Sequence, residues 1–151
     1  MTNAIQNKKL LKALKSILFP MYIYFSLCLN KKKVLCIVLK RFEWTPTSRG
    51  AKINTYVKFP LEKLDLAEFC SDEEDVDTCY KLMSVVMHHG ISLQSGHYTC
   101  YAYNSESDAW IHFNDSRVTI AAEEDVEDSE AYMLFYQRSY EVSTKLVFGK
   151  V

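Results

Sequence analysis

The sequence predicts an α+β domain built mainly of antiparallel strands, and three observations carry that reading. Hydrophobic residues make up 48% and aromatic residues 13% of the 151-residue chain, a composition that suits a packed, sheet-rich core. His97 to Asn104, HYTCYAYN, alternates Tyr98, Cys100 and Ala102 against Thr99, Tyr101 and Tyr103, the period of two that a strand imposes on its faces. The apolar runs around this segment are short and separated by turn-forming residues, as an antiparallel meander requires.

Along the chain, the first 33 residues stand apart. Ala13 to Leu29 is apolar but carries Lys15 and Pro20, and it falls short of the ~20 uninterrupted apolar residues that span a bilayer. With Lys31, Lys32 and Lys33 behind it and no small-residue cleavage site, it is expected to be a core segment or foreign to the mature fold rather than a membrane helix.

From Val34 the pattern becomes regular. VLCIVLKRF, Val34 to Phe42, is apolar on both faces and rich in β-branched residues; it reads as a central, buried strand turning polar at Lys40 and Arg41. Thr45 to Asn54 contains Pro, Ser and Gly and reads as a loop. Thr55 to Pro60 is expected as a short strand ended by a residue that cannot donate to a ladder.

The acidic stretch between Asp65 and Asp77 reads as a solvated surface loop, the alternative being a face for a basic partner. A strand over Tyr80 to His89 and a glycine-bounded loop, Gly90 to Gly96, precede the alternating segment. SESD then makes a turn, Ala109 to Asn114 returns, and Arg117 to Ile120 continues the meander. Glu123 to Glu130 holds one helical turn, and Ala131 to Ser139 is the last strand.

A net charge of −1, from 18 basic and 19 acidic side chains, provides no field for nucleic acid or an anionic membrane. Trp44, Trp110 and Phe113 have no basic groove beside them, so core or cleft wall is the expected role rather than base stacking. The cysteines at 28, 36, 70, 79 and 100 are odd in number and never spaced Cys-x-x-Cys, which excludes a self-contained disulfide framework or zinc knuckle. A reducing compartment, cytoplasmic or nuclear, follows. Cys36 and Cys100 lie in apolar runs and are expected as small buried hydrophobes.

His97 follows Ser95 and Gly96 at the start of a strand, where glycine permits close approach of a substrate backbone. A histidine there can be a general base, a metal ligand or a satisfied polar residue. Asn114 and Asp115 lie seventeen positions on, at the end of the return strand, and a working imidazole needs one nitrogen open and the other held by an acceptor. The Cys-His-Asn arrangement of thiol proteases meets that need. A metal site from His88, His89, His97 and His112 is the competing class; adjacent His88 and His89 point to opposite strand faces and do not readily chelate one ion.

The ordered motifs LCIVLKRFEW, TYVKFPLEKLDL, VVMHHG with SGHYTCYA, WIHFNDSRVT and AYMLFYQR resemble the C-terminal part of the catalytic domain of ubiquitin-specific proteases, from about Val34 to Arg138. Within that family the wording is most similar to the histone-directed, zinc-finger-containing branch. The resemblance implies the palm portion of a papain-like cysteine protease fold, incomplete as a domain. Residues 1–33 would be an atypical apolar and basic segment, 34–139 the partial catalytic domain and 140–151 a tail.

It further implies that His97 is the catalytic histidine, Asn114 the third member of the triad and Asp115 an assisting carboxylate. Gly90, Ser95 and Gly96 would belong to the loop beside the cleft for ubiquitin's C-terminal tail. The partners implied are ubiquitin and ubiquitinated proteins, histones among them, with no nucleic acid. No cofactor is implied for this part, zinc belonging to other parts of full-length members.

The family's cysteine box is not found in these 151 residues. The expectation is therefore a fragment of a deubiquitinase that does not turn over ubiquitin linkages by itself, the alternative being a ubiquitin-binding fragment without catalysis.

Overall fold

A computed structural model describes residues 33–44, 49–67, 78–92 and 95–139. The apolar opening, most of the acidic stretch and the tail lie outside the described residues. Among the described residues, nine strands and one short helix follow one another: β1 (Val34–Val38), β2 (Phe42–Trp44), β3 (Arg49–Lys52), β4 (Leu64–Asp65), β5 (Cys79–Ser92), β6 (Ser95–Asn104), β7 (Ala109–Asn114), β8 (Arg117–Ala121), α1 (Glu123–Glu127) and β9 (Ala131–Arg138). They form a sheet in the order β1-β9-β5-β6-β7-β8, with β2 paired to β3, and β3 and β4 added to β5. Every pairing is antiparallel.

Apart from Gly90–Gly96, the sequence from Tyr80 to Arg138 meets its expected elements closely, because alternation and turn chemistry agree there. In the β6–β7 turn, Asn104 Oδ1 accepts the N–H groups of Glu106 at 2.9 Å and Ser107 at 3.3 Å, and Asp108 takes φ 50°, a conformation Asp tolerates. In α1 the acidic first turn suits the helix dipole, Asp125 accepts the N–H of Ala122, and Val126 is fully buried.

Five expectations are corrected between Val34 and Gly96. Among the described residues β1 is not central but stands at the end of the sheet, and its faces differ, with Leu35 and Ile37 buried while Val34 is 57% and Val38 44% exposed. Cys36 shares that exposed face instead of the core. The loop expected over Thr45–Asn54 contains β3, and Thr55–Pro60 joins no strand. The loop expected over Gly90–Gly96 is mostly ladder, with β5 running to Ser92 and pairing with Ser95.

What holds Thr55–Pro60 without a ladder is side-chain chemistry from a distance. Arg41, expected to mark a polar strand end, is 3% exposed. Its Nε donates to the carbonyl of Ala131 at 2.6 Å, and Nη1 donates to those of Ile53 at 3.0 Å and Thr55 at 2.7 Å. Tyr136 Oη donates to the Pro60 carbonyl at 2.9 Å, and Tyr56 Oη to that of Glu127 at 2.7 Å. Phe59, Leu61, Leu64 and Leu66 then pack into the core with Tyr80, Leu82, Leu134 and Tyr136, each such burial contributing about 1.5–3 kcal/mol. Trp110 joins this core as expected, whereas Phe113 is exposed.

Candidate active site

The register of β6 with its two neighbours positions the site. On one side His97 lies opposite His89 and Thr99 opposite Met87. On the other, Cys100 pairs with Phe113, so Asn114 comes one step further, level with Thr99 and diagonal to His97. Residues two apart share a face, and the diagonal neighbour is within reach of a long side chain. His97 Nε2 is 2.6 Å from Asn114 Oδ1. An amide oxygen only accepts, so Nε2 carries the proton and Nδ1 keeps its lone pair. Among the described residues no hydrogen bond occupies Nδ1.

Asn114 is fixed by being the last residue of β7. It pairs with Arg117, leaving Asp115 and Ser116 as a two-residue turn in which Asp115 adopts φ 51°, as the first position of such hairpins requires. Asp115 is therefore exposed at the tip. It makes no hydrogen bond to His97 among the described residues, so the structure brings the histidine and the asparagine together and leaves the carboxylate beside them.

Gly96 also answers a steric demand of the fold itself. A Cβ there would stand 2.0 Å from His88 Nε2 and 2.6 Å from Cε1, so the close approach is made by this protein's own imidazole. At Gly90, which sits at the register shift between His89 and Ser92, a Cβ would meet the Ser95 carbonyl oxygen at 2.3 Å. The two glycines thus let the β5–β6 hairpin close over His88. That ring is buried among Phe42, Tyr98 and Tyr132, with centroids 5.4, 4.9 and 6.2 Å away. Burial, and secondarily the Lys52 ammonium, push its pKa below the ordinary imidazole value.

Lys52 and Thr99 are parts the sequence did not single out. Lys52 Nζ donates to the His88 carbonyl at 2.6 Å and lies 3.6 Å from Glu130, its side chain only 6% exposed. Thr99 is buried and its Oγ1 is 2.7 Å from His89 Nε2. The available signal was the alternation itself, which places Thr99 on the face of His97. Lys52 had none, since its partner is a backbone carbonyl thirty-six residues away.

None of the described cysteines reaches His97. Cys100 lies on the opposite face of β6, its Sγ 3.1 Å from Ser84 Oγ. Cys36 sits three strand spacings away on β1. Cys79 begins β5, ten residues before the partner of His97, on the order of 30 Å along the strand. His88 and His89 diverge across β5, and among the described residues no group of three His, Cys, Asp or Glu is placed to hold a metal.

An imidazole held at Nε2 by a carboxamide, with no hydrogen bond at Nδ1 among the described residues, is an arrangement that thiol hydrolases also use. The chain belongs to the ubiquitin carboxyl-terminal hydrolase family, whose sequence profile matches residues 32–136, a family of cysteine-type deubiquitinases. It is similar to ubiquitin carboxyl-terminal hydrolase 3 of Mus musculus and of Homo sapiens, each 49% identical over 107 residues, covering 69% of this chain and 20% of the relative. With ubiquitin carboxyl-terminal hydrolase 44 of Danio rerio the identity is 39% over 118 residues, or 74% of this chain and 17% of the relative.

Among solved structures it resembles the SAGA Ubp8/Sgf11/Sus1/Sgf73 DUB module bound to ubiquitin aldehyde. The TM-score is 0.64 at 31% identity, covering 72% of this chain and 25% of that one. The chain thus spans about a fifth of the length of the curated relatives it matches, and the match corresponds to a C-terminal part of the catalytic domain. No helix among the described residues is long and apolar enough to cross a membrane.

Proposed function

We propose that this chain supplies the base and its orienting residue to a deubiquitinase that hydrolyses the isopeptide bond between ubiquitin's terminal glycine and a lysine amine. The observation that carries the reading is the 2.6 Å bond between His97 Nε2 and Asn114 Oδ1, which leaves Nδ1 as the proton acceptor. His97 takes the proton of a cysteine thiol through Nδ1, and the thiolate attacks the glycine carbonyl. As the C–N bond breaks, the imidazolium returns that proton to the leaving amine. It then accepts a proton from water, which attacks the thioester and releases ubiquitin's carboxylate and the thiol. Asn114 holds the ring in one tautomer throughout, and these steps use no cofactor.

The β5–β6 hairpin carrying Gly90, Ser95 and Gly96 is the proposed wall for ubiquitin's tail, with Asp115 adding a carboxylate at the rim. Ubiquitin is the partner that the ubiquitin-aldehyde complex of the related module supports. Ubiquitinated histones are the proposed targets, and the cytoplasm or nucleus the proposed compartment.

The test is complementation. The purified chain is mixed with a separately produced cysteine-bearing part of a hydrolase 3 relative and given ubiquitin–rhodamine. Turnover is expected only in the mixture, falling at least ~10³-fold in His97→Ala. His97-dependent turnover by this chain alone would overturn its assignment as a partial site. Ubiquitin binding without turnover in the mixture would replace catalysis by a binding function.

A further inference from the structure

The face that carries His97 holds a second imidazole which the proposed reaction leaves without a task. His89 lies directly opposite His97 in the ladder, its ring centroid 6.3 Å away at an interplanar angle of 29°. Its Nε2 is 2.7 Å from Thr99 Oγ1. The Thr99 hydroxyl points on to Met87 Sδ at 4.0 Å, so Nε2–H of His89 donates and the hydroxyl accepts. His97, Asn114, Thr99 and His89 therefore form one patch across three strands, with the buried hydroxyl at its centre. Building on the reading of His97 as base and Asn114 as its orienting residue, we propose that His89, anchored on Thr99, is a positioning residue that holds the His97 ring in the plane from which it donates to Asn114.

The physical need is rotational. Histidine χ2 is a broad torsion, and a single hydrogen bond at Nε2 still permits the ring to rock. A directly opposed cross-strand side chain limits that motion, but only if it is itself fixed, and the Thr99 hydroxyl fixes it.

The charge pattern suits the same role. Burial holds the pKa of His89 below the ordinary imidazole value, helped by His97, Lys52 and His112 and opposed by Glu130. The groups facing it come from β6, β3, β7 and the residue ahead of β9. A neutral His89 offers no like charge when its neighbour takes a proton.

Histidine-selective ¹⁵N spectra of the full chain read the tautomer of each ring. In the wild type the His97 proton sits on Nε2. Thr99→Val, nearly isosteric, and His89→Gln, at an exposed position, are each expected to lower the ratio of the Nε2–H to the Nδ1–H tautomer of His97 about fivefold, the equilibrium effect of roughly one net hydrogen bond.

An unchanged His97 ratio in both variants overturns the proposal, and an effect confined to Thr99→Val overturns the part given to His89. Asn114→Ala separates this from the reading beneath it. If the Nε2–H preference survives there, the base-and-orienter assignment itself fails, whatever the other variants do.

Discussion

Replacing Gly96 by alanine tests the packing that places the base. The added methyl would stand 2.0, 2.6 and 2.9 Å from Nε2, Cε1 and Cδ2 of His88, where carbon contacts relax to about 3.5–4.0 Å. Something must yield by more than an ångström. His88 has little room, with Phe42, Tyr98 and Tyr132 around it and its carbonyl held by Lys52. The alternative is displacement of the backbone at Gly96, which carries the adjacent His97 away from Asn114.

Overpacking of this kind costs about 1–3 kcal/mol, and a domain of roughly 60–100 residues loses ~4–8 °C in Tm for each kcal/mol. Thermal unfolding followed by circular dichroism should show that fall in Gly96→Ala. Truncating the obstacle should return part of it, so Gly96→Ala with His88→Ala is less destabilised than the two single losses added together. An alanine variant as stable as the wild type, or strictly additive losses, would refute the steric account.

Arg41→Ala leaves the carbonyls of Ala131, Ile53 and Thr55 without their donor and should cost about 3–5 kcal/mol in urea unfolding. Arg41→Lys should recover little, because an ammonium cannot reproduce the planar fork; full recovery would show that charge alone matters. Lys52→Met keeps the stem, loses the bond to the His88 carbonyl and should cost about 1.5–3 kcal/mol. NMR should also show the His88 midpoint moving up in that variant, since the nearby ammonium depresses it.

The pH dependence has a definite sign. His88 and His89 are both held below the ordinary value, in each case first by burial. The unfolded chain therefore binds more protons than the folded one below about pH 6.5, so this contribution is complete above that pH and is lost as pH falls beneath it. Urea midpoints at pH 7.5 and 5.5 should differ more in the wild type than in His88→Gln, and equal differences would contradict it.

What the residues alone announced was concentrated where one local rule decides the structure. His97–Asn104 alternates, SESD turns and Ala109–Asn114 returns, so the level of Asn114 relative to His97 followed from counting along a hairpin. The motifs around them identified the family for the same reason: chemistry and local geometry are written in adjacent residues there.

Before residue 93 the deciding contacts are distant in sequence. Whether β1 is central or at an edge depends on β9 lying on just one side of it. Whether Arg41 is a polar strand end or a buried clamp depends on carbonyls twelve, fourteen and ninety residues away. Thr99 looked like an ordinary strand residue and Gly96 like a loop glycine until the sheet placed His89 against one and His88 against the other. A sequence records the period of a strand, since that is a property of the backbone. It does not record which side chain arrives opposite, because that is set by the register and closure of the whole sheet, and the open nitrogen of His97 is a product of both.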